Sequence, residues 1–370
     1  MTRRELLAAL GTAPAVSLKA APAPPVAVAR CPSYDADLAA VMGSMFDQLG
    51  GLARLVGGKT VTIKLNLTGS PALRFEGRPL GVTHYTHPKT AAVMAHLMGR
   101  AGARRIRFVE SCWGTAGPLE EYMLESGWNV RSLRAAAPQV VFENTNARGS
   151  FKDYARFRVP GGGLIFPAYD LNRAYAETDV VVSMAKLKNH ETCGITLAMK
   201  NMFGITPASI YGDDAGRGEP NESPAKGRVT VCHEGKRGPA SSAPQEIDAQ
   251  SSRQAGHRMP RIVAELNAAR PVDIAFIDGI ETVAGGEGPW IRGLKVVKPG
   301  LLILGTNAVS TDAVGAALMG YDPRAAHGTG VFKNCDNTLL LAEQLGVGSA
   351  DLGRIEVRGG KTGELAYRFG

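Results

Sequence analysis

Strand-like and helix-like hydrophobic patterns alternate along residues 60–142. In residues 60–67 apolar side chains occupy every second position, which is typical of a strand with one buried face. The pattern then predicts a helix at 88–99, a strand at 105–110, a helix at 119–126 and a strand at 139–142. This order predicts a largely parallel sheet covered by helices, with functional groups beyond the carboxyl ends of its strands.

A second set of elements follows from residue 178. The apolar run 178–184 predicts a buried strand, and 193–203 has the pattern of a helix. Later elements are predicted as helices at 259–269, 308–319 and 338–344 and strands at 272–277, 301–304 and 354–357. We therefore expect an α/β fold with two Rossmann-like lobes, residues 30–177 and 178–370, around a central cleft. Residues 212–258 form a polar, Gly- and Pro-rich insertion, interpreted as a lid, a binding loop or a disordered segment.

Composition and charge narrow the class of protein. The 370 residues are 44% hydrophobic and 21% charged, as in soluble globular proteins, and no apolar run is long enough to span a bilayer. The net charge is +8, but the basic residues are scattered and only 6% of residues are aromatic, which argues against nucleic-acid binding. We expect a small anionic molecule as the partner instead.

The N-terminus has the pattern of an export signal. Thr2-Arg3-Arg4 precedes an uncharged stretch at residues 6–18, as in twin-arginine signals, and Ala27-Val28-Ala29 offers a small-x-small cleavage site. We therefore expect residues 1–29 to be the signal, the twin-arginine translocase to be a partner during export, and the location to be periplasmic. A disordered basic tail is the alternative. The twin-arginine route carries folded proteins, which would suit a cofactor inserted before export.

The five cysteines contain no Cys-x-x-Cys pair, so we expect no iron–sulfur cluster. Their odd number predicts at least one unpaired thiol in an oxidising compartment.

The segment Lys186-Leu187-Lys188-Asn189-His190 follows directly on a predicted buried strand. If the chain stays extended, Lys186, Lys188 and His190 point the same way, and three cationic groups need an anion or a carboxylate among them. Such crowding also lowers the pKa of a lysine toward that of a base or a Schiff-base nucleophile. A solvated basic turn is the alternative.

Three other segments carry polar groups at strand or helix ends. Lys64 and Asn66 share a face at the end of the first strand, and His84-x-x-His87 in the next loop is interpreted as a metal or anion ligand or an ordinary surface loop. Thr196 and Lys200 are expected one helical turn apart, with Asn201 beside them and a helix N-terminus that favours an anion near His190.

Downstream, Asp278 ends a strand before a glycine, and Glu287 lies in a Gly-rich loop without the Gly-Lys-Ser/Thr ending of a phosphate loop. Ser310-Thr311-Asp312 is predicted to open a helix, with Ser310 or Asp312 as its N-cap.

Taken in order, these motifs resemble the DUF362 family, whose function is uncharacterised. The matching segments are 63–66, His87-Pro88, 186–190, 196–204, 278–280 and 310–314. The resemblance spans roughly residues 58–325 and extends distantly to nickel-pincer lactate racemases. In that comparison Lys186, Lys188 or Lys200 would hold the cofactor, and His190 with His84 or His87 would exchange protons, which implies an isomerase, a racemase or another acid–base enzyme.

Three classes of function remain open. The first is an exported enzyme that acts on a small anionic substrate in one cleft. The second is a metal- or ligand-binding protein without turnover, and the third is a thiol redox or maturation partner that uses Cys193 beside His190. A divalent metal or a metal-containing cofactor is compatible with the first two. The candidate residues are His190, Lys186, Lys188 and Lys200 for catalysis, Lys64, Asn66, Asn201, Thr196 and Glu287 for substrate binding, and His84, His87 and Asp278 for metal.

Overall fold

The computed structural model describes residues 22–369, which form one mixed α/β fold. The strands are β1 (Ala23–Arg30), β2 (Thr60–Lys64), β3 (Arg105–Glu110), β4 (Val140–Asn144), β5 (Ala155–Arg158), β6 (Ala168–Leu171), β7 (Val180–Lys186), β8 (Lys188–His190), β9 (Gly194–Thr196), β10 (Ile274–Gly279), β11 (Thr282–Ala284), β12 (Lys295–Val297), β13 (Leu301–Gly305) and β14 (Ile355–Arg358).

The helices are α1 (Leu38–Gln48), α2 (Leu52–Val56), α3 (Pro88–Arg100), α4 (Leu119–Glu125), α5 (Val130–Arg134), α6 (Ala198–Asn201), α7 (Ala208–Tyr211), α8 (Ala255–Ala269), α9 (Ala308–Leu318), α10 (Thr338–Gln344) and α11 (Thr362–Leu365). Short 3-10 turns connect several of them. The start of helix α3 is fixed by two adjacent residues. Pro88 occupies the first turn, and the Nδ1 of His87 accepts the N–H of Lys89 at 3.1 Å.

Eight strands make the central sheet, in the order β14-β1-β13-β10-β7-β2-β3-β4. Strand β13 is antiparallel to both of its neighbours, and the other pairs of this sheet are parallel. The largely parallel α/β architecture expected from the sequence is thus confirmed. The carboxyl ends of β2, β3, β7 and β10 lie at one edge and carry Lys64, Glu110, Lys186 and Asp278.

The two faces of the sheet bury two separate hydrophobic cores. In β10, Ile274 and Phe276 pack with α1 and α3, whereas Ala275 and Ile277 pack with α6, α8 and α9 on the opposite face. This alternation is the period of two that an extended chain imposes on its side chains. Burying each of the larger side chains contributes roughly 1.5–3 kcal/mol, so both faces hold the sheet in place.

The expected division into two lobes with separate sheets is not confirmed. Strand β7, which was to open the second lobe, pairs in parallel with β2 of the expected first lobe on one side and with β10 on the other. Every residue of β7 is buried. One continuous sheet therefore crosses the boundary at residues 177 and 178.

The first described strand overlaps the expected export signal. Strand β1 lies between β13 and β14, and its Val26, Ala27 and Val28 are buried. The expected cleavage point after Ala29 falls inside this strand, and cutting there would remove seven of its eight residues. The folded domain thus begins upstream of the expected boundary at residue 30. The twin-arginine motif itself lies outside the described residues.

Within residues 22–369, no helix has both the length and the hydropathy needed to cross a membrane. All five cysteines are buried and unpaired.

Candidate functional site

A cavity of about 320 Å³ opens near the carboxyl ends of β2 and β3. It lies on the side of the sheet where parallel α/β folds place their ligands. Eight of the twelve residues chosen from the sequence line it: Lys64, Asn66, Lys188, His190, Thr196, Lys200, Asn201 and Glu287. The other four, Lys186, Asp278, His84 and His87, do not line this cavity.

Lys64 and Glu110 form a buried ion pair at the floor of the cavity. The Lys64 Nζ lies 2.6 Å from a Glu110 oxygen and also donates to the carbonyl of Leu65 at 2.5 Å. The second oxygen of Glu110 accepts the N–H of Leu67 at 2.7 Å. Gly204 approaches so closely that a Cβ there would come within 2.6 Å of the Nζ. Lys64 is therefore held in place and its charge is balanced within the protein.

The segment after β7 leaves the sheet and forms a hairpin, in which Lys188 pairs with Thr196 and His190 with Gly194. The change of direction separates the three side chains that were expected to point the same way. Lys188 and His190 reach the cavity, and Lys186 does not. The helix predicted over 193–203 is wrong in its first part for the same reason: that part is strand β9, which begins at Gly194 with a φ of 73°, and the chain becomes helical only at Ala198. Thr196 and Lys200 still share the cavity, but from a strand and a helix.

Lys188 donates to the backbone carbonyls of His84 at 2.9 Å and Glu287 at 3.1 Å. Burial lowers the pKa of the Lys188 ammonium to about 7. The positive charges of Lys186 and Lys200 lower this pKa further, whereas the negative charge of Glu287 raises it. The charge of Lys188 is thus sensitive to pH near neutrality.

The start of the short helix α6 is closed by a carboxylate from far along the chain. Asp312 accepts the N–H of Ala198 at 2.9 Å and that of Met199 at 2.8 Å. The position expected to attract an anion is therefore filled by a side chain of the protein itself. Asp312 does not cap its own helix α9, where Asn307 is the N-cap and accepts from Ser310 at 3.0 Å.

Helix α6 carries Lys200, and its Nζ has no hydrogen-bond acceptor or ion-pair partner among residues 22–369. The group lies 4.4 Å from the centre of the Phe203 ring and faces the cavity. Burial lowers the pKa of the Lys200 ammonium. By contrast, Lys64, Lys186 and Lys188 are each bound to carbonyl or carboxylate oxygens. Lys200, which is only partly buried, is thus the lysine of the cavity best able to bind or react with a ligand.

Two histidines line the cavity with opposite hydrogen-bonding roles. The Nδ1 of His190 accepts the backbone N–H of Thr192 at 3.1 Å, so the neutral ring carries its proton on Nε2. The Nδ1 of His233 lies 3.4 Å from the carbonyl oxygen of Arg228. Because a carbonyl oxygen can only accept, this Nδ1 carries the proton, and the Nε2 of the neutral His233 ring has a free lone pair. Burial lowers the pKa of His190 well below its usual range and that of His233 to about 4. Near neutral pH, His190 is therefore a donor and His233 an acceptor.

The polar insertion forms one wall of the cavity through Gly227, Arg228, Val229 and His233. Arg228 donates to the hydroxyl of Ser111 at 3.0 Å and to the carbonyl of Thr206, and its guanidinium lies 5.3 Å from the Phe203 ring centre. Sequence reasoning missed Arg228 as a site residue because the insertion has no periodicity to orient it. Glu110 was also missed, although its position at a strand end was a usable signal.

The cavity has an excess of positive charge. Four cationic side chains line it (Lys64, Lys188, Lys200 and Arg228) against two carboxylates, Glu110 and Glu287. Glu110 neutralises Lys64, and Glu287 accepts from the N–H of Glu191 at 3.1 Å and from the indole of Trp290 at 3.0 Å. The remaining charge favours an anionic ligand.

Lys186 and Asp278 form a second buried cluster beside the cavity. The Lys186 Nζ lies 3.3 Å from Asp278 and 2.7 Å from the hydroxyl of Tyr34, which donates to both Asp278 oxygens. His87 stacks on Tyr34 with ring centres 3.5 Å apart. All of these polar groups already have partners, which is the arrangement of a structural cluster.

The residues predicted to bind metal do not come together as a ligand set. Across residues 22–369, no group of three His, Cys, Asp or Glu side chains is arranged to hold a metal ion. The cavity does contain a lysine amine without an acceptor among the described residues, that of Lys200, and a histidine with a free lone pair, His233.

Cys193, the candidate thiol, is fully buried, and burial raises its pKa to about 12. It is therefore protonated at neutral pH, which argues against a reactive thiol.

Fold and cavity together define an α/β protein with a cationic, histidine-containing pocket at the carboxyl edge of a largely parallel sheet. Residues 61–317 match the family described as a domain of unknown function, DUF362, and the chain belongs to that family. A thylakoid-associated protein of Synechocystis is 27% identical over 241 residues, covering 60% of this chain and 68% of the relative.

Two solved structures are distantly similar. One is the lactate racemase apoprotein from Thermoanaerobacterium thermosaccharolyticum, with 12% identity, a TM-score of 0.35 and coverage of 74% of this chain. The other is a protein from Thermotoga maritima, with 12% identity, a TM-score of 0.30 and coverage of 69%. The chain spans 54% and 56% of their respective lengths.

Proposed function

We propose that this protein is an enzyme that binds a small organic anion in the cavity and moves a proton to or from it. The observation that carries the proposal is the partly buried Lys200 ammonium, which faces the cavity without an acceptor among residues 22–369. A partly desolvated charge without a partner is unfavourable, and a ligand carboxylate or phosphate would pair with it. Arg228 and Lys188 add positive charge to the same space.

The two histidines supply complementary groups for proton transfer. His233, with a free Nε2 lone pair, would accept a proton from the substrate, while the Nε2–H of His190 would donate a hydrogen bond to the charge that develops. The ammonium of Lys200 would stabilise that same negative charge. The buried Asn66 Oδ1, which has no donor among the described residues, is free to accept from a substrate hydroxyl or amine.

A metal-containing cofactor is compatible with this site, as a variant of the same proposal. Lys200 and His233 are the residues that would hold it, and it would supply an electrophilic centre to the bound anion. In that variant Lys200 and His233 would no longer have the roles given above, whereas Arg228 and Lys188 would keep theirs, since their placement does not depend on the cofactor.

Proton exchange with solvent tests the proposal without knowledge of the full reaction. The protein is incubated in D₂O with a panel of small 2-hydroxy, 2-amino and 2-keto carboxylates, and loss of C–H signals is followed by proton NMR. We expect at least one compound to exchange, with exchange reduced at least 100-fold by His233→Asn.

The matched control is His257→Asn, because His257 is a partly exposed histidine of the same insertion that pairs with Asp336 at 3.6 Å outside the cavity. Equal exchange in the two variants would contradict the role of His233. No exchange in any compound, together with no anion binding, would refute the proposal.

We further propose export by the twin-arginine route to the periplasm, supported by Thr2-Arg3-Arg4 and the uncharged stretch behind it. Because β1 is part of the sheet, any processing of the chain must occur before Ala23. Cell fractionation of a tagged protein tests this. Replacing Arg3 and Arg4 by Lys should retain the protein in the cytoplasm, whereas an unchanged distribution would contradict export by this route.

A further inference from the structure

The rim of the cavity is unusually apolar for a charged pocket. Nine large hydrophobic side chains are exposed among residues 22–369, and four of them line this one cavity. Their exposed fractions are 43% for Leu73, 48% for Trp113, 49% for Val229 and 44% for Trp290. Apolar side chains gathered at one place on a surface mark an interaction site, whereas isolated ones need no explanation.

Trp290 is held rigidly although nearly half of it is exposed. Its indole N–H donates to Glu287 at 3.0 Å, and its ring meets that of His84 edge-on with centres 5.8 Å apart. The ring also lies against two glycines, because a Cβ at Gly69 or Gly288 would come within 2.6 Å or 2.4 Å of it. A rigid aromatic surface binds a ligand at little cost in side-chain entropy.

Trp113 offers a second exposed indole on the same cavity. Its ring nitrogen lies near Gly227, where a Cβ would be 3.3 Å away, and its N–H makes no hydrogen bond within the described part of the chain. The neighbouring Val229 extends the apolar surface from the insertion. The rim thus offers flat rings and one free donor.

The interior of the cavity has the opposite character. Lys200 and Arg228 both lie over the Phe203 ring, at 4.4 Å and 5.3 Å from its centre. A ligand that fits both the cationic interior and the apolar rim must be anionic at one end and apolar and flat at the other. A volume of about 320 Å³ is at the lower end of the range for small-molecule pockets, so the ligand is small.

We propose that the substrate is a small organic anion with an aromatic or conjugated portion, bound with its anionic group near Lys200 and Arg228 and its flat portion against Trp113 and Trp290. This assignment rests on the proposed function, because it takes the anion site as given and adds the chemistry of the rest of the substrate.

Three carboxylates separate the contributions of charge, apolar surface and flatness: acetate, cyclohexanecarboxylate and benzoate. Binding is measured by titration calorimetry and by quenching of tryptophan fluorescence, where Trp128, the third tryptophan, is buried and serves as an internal reference. We expect benzoate to bind at least tenfold more tightly than acetate and several-fold more tightly than cyclohexanecarboxylate.

The variant Trp113→Leu keeps an apolar side chain and removes the flat ring. It should weaken benzoate binding about tenfold and leave acetate binding within twofold, and Trp113→Phe should restore most of the loss. Leu124→Ala is the matched control, because Leu124 is an exposed apolar residue of α4 that does not line the cavity, and it should change neither ligand.

Each outcome decides the assignment. If benzoate binds no better than acetate while acetate binding still requires Lys200, the assignment fails and the anion site stands. If no carboxylate binds, the proposed function fails as well. If tryptophan fluorescence responds to phosphatidylcholine vesicles and not to benzoate, the rim faces a membrane and the assignment is overturned.

Discussion

Asp312 links the stability of the fold to the position of Lys200, and its replacement should be costly. Its carboxylate accepts the N–H groups of Ala198 and Met199, the first two amides of the helix that carries Lys200. All of these groups are buried. Asp312→Ala leaves two buried donors without an acceptor, and each such loss costs about 1–3 kcal/mol, so the free energy of unfolding should fall by about 2–6 kcal/mol.

Urea denaturation followed by circular dichroism measures this change. Asp312→Asn keeps one acceptor oxygen and should lose about half as much stability. Anion binding should weaken in both variants, because α6 is no longer fixed at its start. The weakening should be larger in Asp312→Ala.

Asp37→Ala is the matched control, since Asp37 also accepts a helix amide, that of Ala40 at 2.9 Å, but is exposed at the start of α1. Loss of an exposed cap costs about 1 kcal/mol. If Asp312→Ala costs no more than Asp37→Ala, the reasoning from buried unpaired amides is refuted.

Three further predictions follow from the described contacts. Lys64→Met should cost about 3–5 kcal/mol by leaving the buried Glu110 unpaired, and adding Glu110→Gln should recover part of that loss in a urea titration, whereas purely additive losses would contradict a coupled pair. Anion affinity measured by calorimetry should fall as the pH rises above about 7, because the pKa of Lys188 is lowered to about 7 and its ammonium is lost above that value, and Lys188→Met should flatten the profile. A chain that begins at Pro22 should fold like the full protein, whereas one that begins at Arg30 should be insoluble or unfolded because it lacks β1, as circular dichroism would show.

The alternation of apolar residues was enough to predict most of the sheet and its helices. Strand β3 and helix α10 have the predicted bounds, because their patterns are regular and their ends carry ordinary signals. The first part of the helix predicted over 193–203 is wrong, because a hairpin with a left-handed glycine and a carboxylate 114 positions away decide where the helix begins. Neither leaves a periodic signal in the sequence.

The candidate site, like the fold, could be predicted from the sequence only in part. Lysines and histidines of the motifs could be chosen by type and spacing, and eight of the twelve candidates share the cavity. Which lysine is free could not be predicted, since it depends on where backbone carbonyls lie, as those around Lys188 show. Arg228 and His233 come from an insertion without periodicity, so only the three-dimensional structure brings them to the site.

The central claim is that Lys200 is an accessible, partner-free amine in an anion site. Lysine-resolved labelling with trinitrobenzenesulfonate near pH 7.5, read by peptide mass spectrometry, tests it most directly, because the reagent attacks unprotonated amines. We expect Lys200 to react faster than the exposed Lys333, because burial lowers the pKa of Lys200. Benzoate should slow the reaction of Lys200, and Lys186, whose ammonium is fully hydrogen-bonded, should stay unmodified. A Lys200 that is no more reactive than Lys186, or whose labelling no organic anion slows, would contradict the central claim.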